Sequence, residues 1–168
     1  MHYRNLGHTG LKVSELCLGT MQFGWTCDEV TTYAVMTAAW EAGLNFWDTA
    51  DVYSRWVPGH AGGESETIIG RLLRRSGKRN RVLIATKVGK PMGEEGEGRT
   101  GLSPKWIQQA VDDSLRRLQT DHIDLYQSHD DDPKTPFEDT LGTYADLIRA
   151  GKVRAIGTSN FTAARLAQ

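Results

Sequence analysis

Short apolar runs alternate with longer stretches of helical period along almost all of the 168 residues, and few folds accept that pattern. After a hairpin expected around Gly7 to Gly10, Glu15 to Leu18 reads as a first strand. Val30, Tyr33, Ala34, Thr37 and Ala38 then share one face of a helix that Gly43 stops. Asn45 to Asp48 reads as the second strand, followed by a helix carrying Ile68, Ile69, Leu72 and Leu73 and ending near Gly77. Val82 to Thr86 has almost no polar relief, as a strand buried on both faces requires. Ser103 is a good cap and Pro104 a good first residue for a third helix, with Ile107, Ala110, Val111, Leu115 and Leu118 on its apolar face. Ile123 to Gln127 is the next strand. Thr135 and Pro136 are expected to open a fourth helix with Phe137, Leu141, Ala145 and Ile148 on its face, closed by Gly151. Val153 to Gly157 makes a fifth strand, and a fifth helix is expected from Phe161.

Strand–helix units in regular succession imply a parallel α/β sheet with helices packed outside it, either doubly wound or closed as a TIM barrel. The position of the polar residues favours the barrel. Strand one runs into Gly19, Thr20 and Met21; strand two ends at Asp48 with Tyr53 beyond; strand three ends at Lys87; strand four leads into His129; strand five leads into Ser159 and Asn160. A barrel opens the C-terminal ends of all its strands onto one mouth, whereas an open sheet spreads them along an edge. A (β/α)8 barrel takes roughly 250 residues, so the chain is expected to hold only the first five βα units and an N-terminal hairpin, as a single domain over residues 1–168.

Composition narrows the function classes. Net charge is −1, charges are mixed in sign, and no basic stripe points to nucleic acid or an anionic membrane. No apolar stretch has the length of a signal peptide or membrane span, which makes a cytoplasmic protein the expectation. Two cysteines, expected as a small core residue (Cys17) and an incidental loop thiol (Cys27), make no disulfide framework and no metal spacing.

The residues at the strand ends also resemble a known family. Asp48 and Tyr53 lie in DTADVY, Lys87 in IATKVG and His129 in DLYQSHDDD, and GTMQFG (19–24), GESETIIG (63–70) and GTSNF (157–161) are further matching segments. In order and context they resemble the N-terminal portion of the aldo-keto reductases. The resemblance implies reduction of aldehydes or ketones by hydride from NADPH, with Asp48, Tyr53, Lys87 and His129 as a catalytic tetrad and Tyr53 as proton donor. It also implies that Gly19, Thr20, Met21, Asp48, Ser159 and Asn160 contact NADP(H), the last two at the nicotinamide carboxamide. The chemistry is sensible. A tyrosine, with an ordinary pKa of about 10, is a poor acid near neutrality unless a nearby cation favours its ionised form. Lys87 would supply the cation, Asp48 would orient it, and His129 would hydrogen-bond the substrate carbonyl. Trp25 and Trp56, on the loops after strands one and two, are candidates for the wall of a substrate pocket.

Each residue has a duller reading. Asp48 suits a loop cap, Lys87 a solvated charge, Tyr53 a packed aromatic, His129 a structural histidine, and Ser159 or Asn160 a helix cap. Matched order and flanks outweigh these for the tetrad. Two decoys fall away. Gly96 to Gly101 spells GxGxxG, but Lys87 to Glu95 separate it from its strand, and three nearby glutamates would repel a pyrophosphate, so a loop over the barrel mouth is expected. His129 to Asp132 suggests a metal site, yet consecutive residues converge poorly on one ion, and a solvated acidic turn is expected with no metal. Family members continue through three further strands that carry most of the cofactor grip. The chain is therefore expected to be part of a longer enzyme, with completion of the core by a homo-oligomer as the other solution. The alternatives to a reductase are a nucleotide-sensing, non-catalytic subunit resembling the potassium-channel β subunits, and an inactive fragment of the enzyme.

Overall fold

The computed structural model describes all of residues 1–168. Strands β1 (Tyr3–Asn5) and β2 (Lys12–Ser14) pair antiparallel as the expected hairpin. Five strands then pair in chain order, all parallel: β3 (Leu18–Gly19), β4 (Phe46–Asp48), β5 (Leu83–Val88), β6 (Ile123–Ser128) and β7 (Val153–Thr158). Helices α1 (Glu29–Glu41), α2 (Glu64–Ser76), α3 (Pro104–Leu118) and α4 (Phe137–Arg149) cross between successive strands, and a short α5 (Ala163–Leu166) follows β7. Strand order without a reversal is the topology of a barrel wall rather than of a doubly wound sheet.

Two cores form because the strands have two faces. The outward faces and the helices enclose one set that includes Met36, Trp47, Ile69, Ile84, Ile107, Leu118 and Tyr126. Ala85, Leu125 and Ala155 face the other way, toward the barrel axis, with Leu6 and Leu11 of the hairpin region packed against them. The hairpin thus covers apolar surface on the inner side of the sheet.

Helix α3 forms as expected, with the Ser103 side chain accepting from the Trp106 amide and Pro104 opening the helix. Other expectations are corrected. The first strand is displaced, pairing at Leu18 and Gly19 rather than starting at Glu15, and Cys17 is exposed rather than core. Cys27 is half-buried against the edge of the core. Helix α1 buries Thr32 and Met36, while Val30, Ala34, Thr37 and Ala38 face outward. Small and apolar residues surround that helix, so periodicity alone could not choose a face. Helix α4 buries Thr140, Thr143, Tyr144 and Leu147 and leaves Leu141, Ala145 and Ile148 exposed. The Tyr144 hydroxyl meets Ser128 Oγ at 2.8 Å, so the inner face is partly polar and mimics a solvent face in sequence. Thr135 does not cap α4; its hydroxyl donates to Asp132, and Pro136 occupies the cap position.

Candidate active site

The site grows from the ends of the strands. Backbone amides just past each end continue the ladder: Thr20 donates to the Asp48 carbonyl, Asp51 to Lys87, His129 to Val88 and Ser159 to Ser128, at 2.8 to 3.2 Å. Residues distant in sequence are thereby fixed at one rim. Asp48 and Lys87 project from alternate positions that share the inner face with Ala85.

Lys87 is the centre of the arrangement. Its ammonium donates to Asp48 Oδ2 at 2.6 Å, to the Thr49 carbonyl at 2.9 Å and to Tyr53 Oη at 3.1 Å. These three contacts use all three of its protons. The Lys87 side chain is only 8% exposed, so its charge acts on Tyr53 with little screening by water. Tyr53 is held from the other side by its loop, where the Ser54 hydroxyl donates to the Phe23 carbonyl at 3.1 Å.

His129 packs edge-on to the Tyr53 ring with centroids 6.0 Å apart. Burial, reinforced by the charges of Lys87 and Lys90, lowers its pKa to about 4 against the opposing pull of Asp130. The imidazole is therefore neutral near pH 7, and its buried Nδ1 has no partner within the chain. Asn160, in the left-handed region at φ 59°, donates its amide to the His129 carbonyl at 2.8 Å. Neither Ser159 nor Asn160 caps α5; Thr162 does, accepting from the Arg165 amide. Trp25 and Trp56 meet edge-to-face at 5.4 Å, and Trp56 meets the Tyr53 ring at 6.3 Å. Both tryptophans are nearly half exposed, so a continuous aromatic wall runs outward from the Tyr53 ring.

Among the residues expected at a cofactor, Gly19 and Met21 are exposed at the rim, but Thr20 is fully buried. Its hydroxyl bridges the Asp48 carbonyl at 2.9 Å and Ser65 Oγ at 2.8 Å, which makes it a strut between β4 and α2. The acidic run after His129 is not a free solvated turn. Asp130 pairs with Lys90, Asp131 takes both its oxygens to Arg165 Nε, and Asp132 accepts from the Leu102 and Lys134 amides and the Thr135 hydroxyl. The Gly96–Gly101 stretch lies in a loop tied back by the Met92 amide to Arg99 O and the Gly101 amide to Gly89 O.

Sequence reasoning missed two features near these four residues. Gln127 lies two residues before His129 on the inner face of β6, a parity that its sequence position alone announced. Beneath the rim, Asp51 is buried with both carboxylate oxygens unpartnered. Burial first, then the neighbouring Glu66 charge, raises its pKa well above the ordinary carboxylate value, against the pull of Arg117, the nearby Val52 amide and Lys87. Glu66 itself is satisfied by the Thr86 hydroxyl and by Arg117 Nε at 2.6 Å.

With this geometry in place, comparison with known proteins decides the family. Residues 15–168 match the sequence model of the aldo/keto reductase family. The chain belongs to that family. It is 44% identical over 165 residues to an uncharacterised oxidoreductase of Bacillus subtilis, YrpG, covering 96% of this chain and 50% of the relative. It is 37% identical to the Escherichia coli protein tas, over 97% of this chain and 53% of that one. Its structure superposes on the holo form of the Bacillus halodurans aldo-keto reductase AKR11C1 with a TM-score of 0.82, at 38% identity, over 96% of this chain and 51% of the other. The chain thus spans about half the length of the aldo-keto reductases it matches, and its sheet is the first five strands of their barrel wall.

Proposed function

We propose that this chain carries the acid–base centre of an NADPH-dependent reductase of aldehydes and ketones, with Tyr53 as the proton donor. The observation that carries the reading is the Lys87 ammonium, shared between Asp48 and Tyr53 at 2.6 and 3.1 Å. Reduction of a carbonyl builds negative charge on oxygen, and a proton must arrive as that charge forms. The phenol of Tyr53 gives that proton, and the phenolate left behind is stabilised by Lys87. Asp48 keeps Lys87 charged and aimed. His129, neutral near pH 7, holds the carbonyl oxygen by donating from a ring nitrogen without competing as the acid.

The residues present fit the amide end of a nicotinamide. The Ser159 hydroxyl and Asn160 Oδ1 are uncommitted within the chain, and the Asn160 amide already ties that corner to His129. When bound, the dinucleotide supplies the hydride. The aromatic wall of Trp25 and Trp56 extends from the acid toward solvent and suits an apolar or planar body behind the carbonyl.

The test is NADPH consumption by the purified chain against a panel of aldehydes and ketones, beside Tyr53→Phe. Loss of turnover by about a hundredfold or more, with an unchanged circular dichroism spectrum, is the expected result. Full turnover in the phenylalanine variant would remove Tyr53 as the acid.

A further inference from the structure

Gln127 is absent from the tetrad, yet it shares a layer of the barrel interior with one of its members, Asp48. On β6 it pairs in register with Lys87 on one side and Gly157 on the other. In a barrel of this kind, side chains from alternate strands share a layer. Gln127 on β6 and Asp48 on β4 are two strands apart, and the amide Nε2 of Gln127 reaches Asp48 Oδ1 at 3.4 Å, a long contact spanning 79 residues of sequence. Gly157 permits this. A Cβ there would lie 3.3 Å from Gln127 Cγ, a tight approach, and 3.6 Å from its Oε1, an ordinary contact, so glycine gives the stem of Gln127 room.

The consequence follows from counting donors. Lys87 spends its protons on Asp48 Oδ2, the Thr49 carbonyl and Tyr53. Asp48 divides its charge between Lys87 at Oδ2 and Gln127 at Oδ1. An amide donor on Oδ1 withdraws negative charge from the carboxylate, which weakens its hold on Lys87 and leaves more of the ammonium's field for Tyr53. We propose that Gln127 is a positioning residue for the tetrad: by donating to Asp48 Oδ1 it fixes the carboxylate and sets how strongly Lys87 acts on Tyr53. The catalytic meaning of this rests on the reductase reading above; the electrostatic linkage does not.

The other ionisable groups around this centre are Cys17 before β3, Asp51 beyond β4, Lys90 beyond β5 and His129 beyond β6. On β7, Gly157 and Thr158 add no charge. Lys90 is already paired with Asp130, so a carboxylate introduced at position 127 would be a new anion beside Asp48 that competes for Lys87.

The experiment compares the parent chain with Gln127→Leu and Gln127→Glu, each also prepared with Tyr53→Phe. Subtracting the phenylalanine partner from each ultraviolet pH titration isolates the ionisation of Tyr53, and needs no catalysis. The expected midpoint rises in the order parent, Leu, Glu, by a few tenths of a pH unit for Leu and about one unit for Glu, as a charge at this range in a partly shielded site requires. The alkaline limb of kcat moves with it. Thermal unfolding near pH 7 should change little in the Leu variant, which separates this role from simple packing. Coincident midpoints in all three proteins would overturn the proposal. An ordered shift in a chain that reduces no carbonyl would uphold the linkage and count only against turnover by these 168 residues alone.

Discussion

Asp51 shows how much of this site's energetics lies in a single buried group. It stands two residues before Tyr53, its amide bonds the Lys87 carbonyl at 3.2 Å, and neither carboxylate oxygen has a partner. Because its folded-state pKa is raised above the unfolded value, it favours folding fully only below about pH 3.9 and opposes it increasingly as pH rises toward the folded pKa. Replacing Asp51 by Asn removes the ionisation without changing the shape. The variant should unfold at a temperature higher by about 3 °C or more at pH 8, as roughly 1 kcal/mol implies for a chain of this size, and the gain should vanish by pH 4. Equal melting temperatures at pH 8 would show that the Asp51 carboxyl finds a partner in solution. At this scale the sequence singled out Asp48, Tyr53, Lys87 and His129 through their flanking motifs, and the structure brings the four side chains together at one rim. Thr20 and Asp51 were hidden inside the same motifs, because a motif records which residue is present and not whether its polar atoms face the rim or the interior.

Between elements, the contact of α2 with α3 decides how the rim is supported. Gly70 lies on α2 where a Cβ would come 2.3 Å from the Arg117 carbonyl oxygen, and Gly63 at φ 84° lies where a Cβ would come 2.4 Å from the Arg117 side chain. These glycines let Arg117 reach Glu66, which in turn holds Thr86 beside Lys87 on β5. Gly70→Ala should destabilise the chain by about 2–3 kcal/mol, since backbone and not a flexible side chain must move. Chemical denaturation checks this, and a midpoint within error of the parent would mean that the helices separate at little cost. The helices also show where periodicity stops being informative. The face of α3 was legible because its apolar residues are segregated; α1 is apolar on several sides, and α4 hides Thr140, Thr143 and Tyr144 while exposing Leu141 and Ile148. Those choices are made by neighbours that no local pattern describes.

For the molecule as a whole, the governing fact is that the sheet of these residues has two edges, β3 and β7. β7 presents the backbone of six residues, and Leu141, Ile148 and Leu166 are exposed on elements that flank it. Unpaired strand edges beside apolar surface favour association. A molecule made of these 168 residues alone should therefore self-associate between micromolar and hundred-micromolar concentration, as sedimentation velocity would show. A single monomeric boundary across that range would mean that the edges are protected in solution. By itself, the sequence determined the order of strands and helices, the parallel sheet and the residues at the strand ends. Each of these follows from local signals: hydrophobic period, capping residues and short motifs. Only the tertiary structure decided which helix faces are buried, that Thr20 is a strut, that Asp51 lies unpartnered and that Gln127 reaches Asp48. Those outcomes depend on groups brought together from distant parts of the chain, and side-chain burial and hydrogen bonding are properties of that assembly rather than of any segment within it.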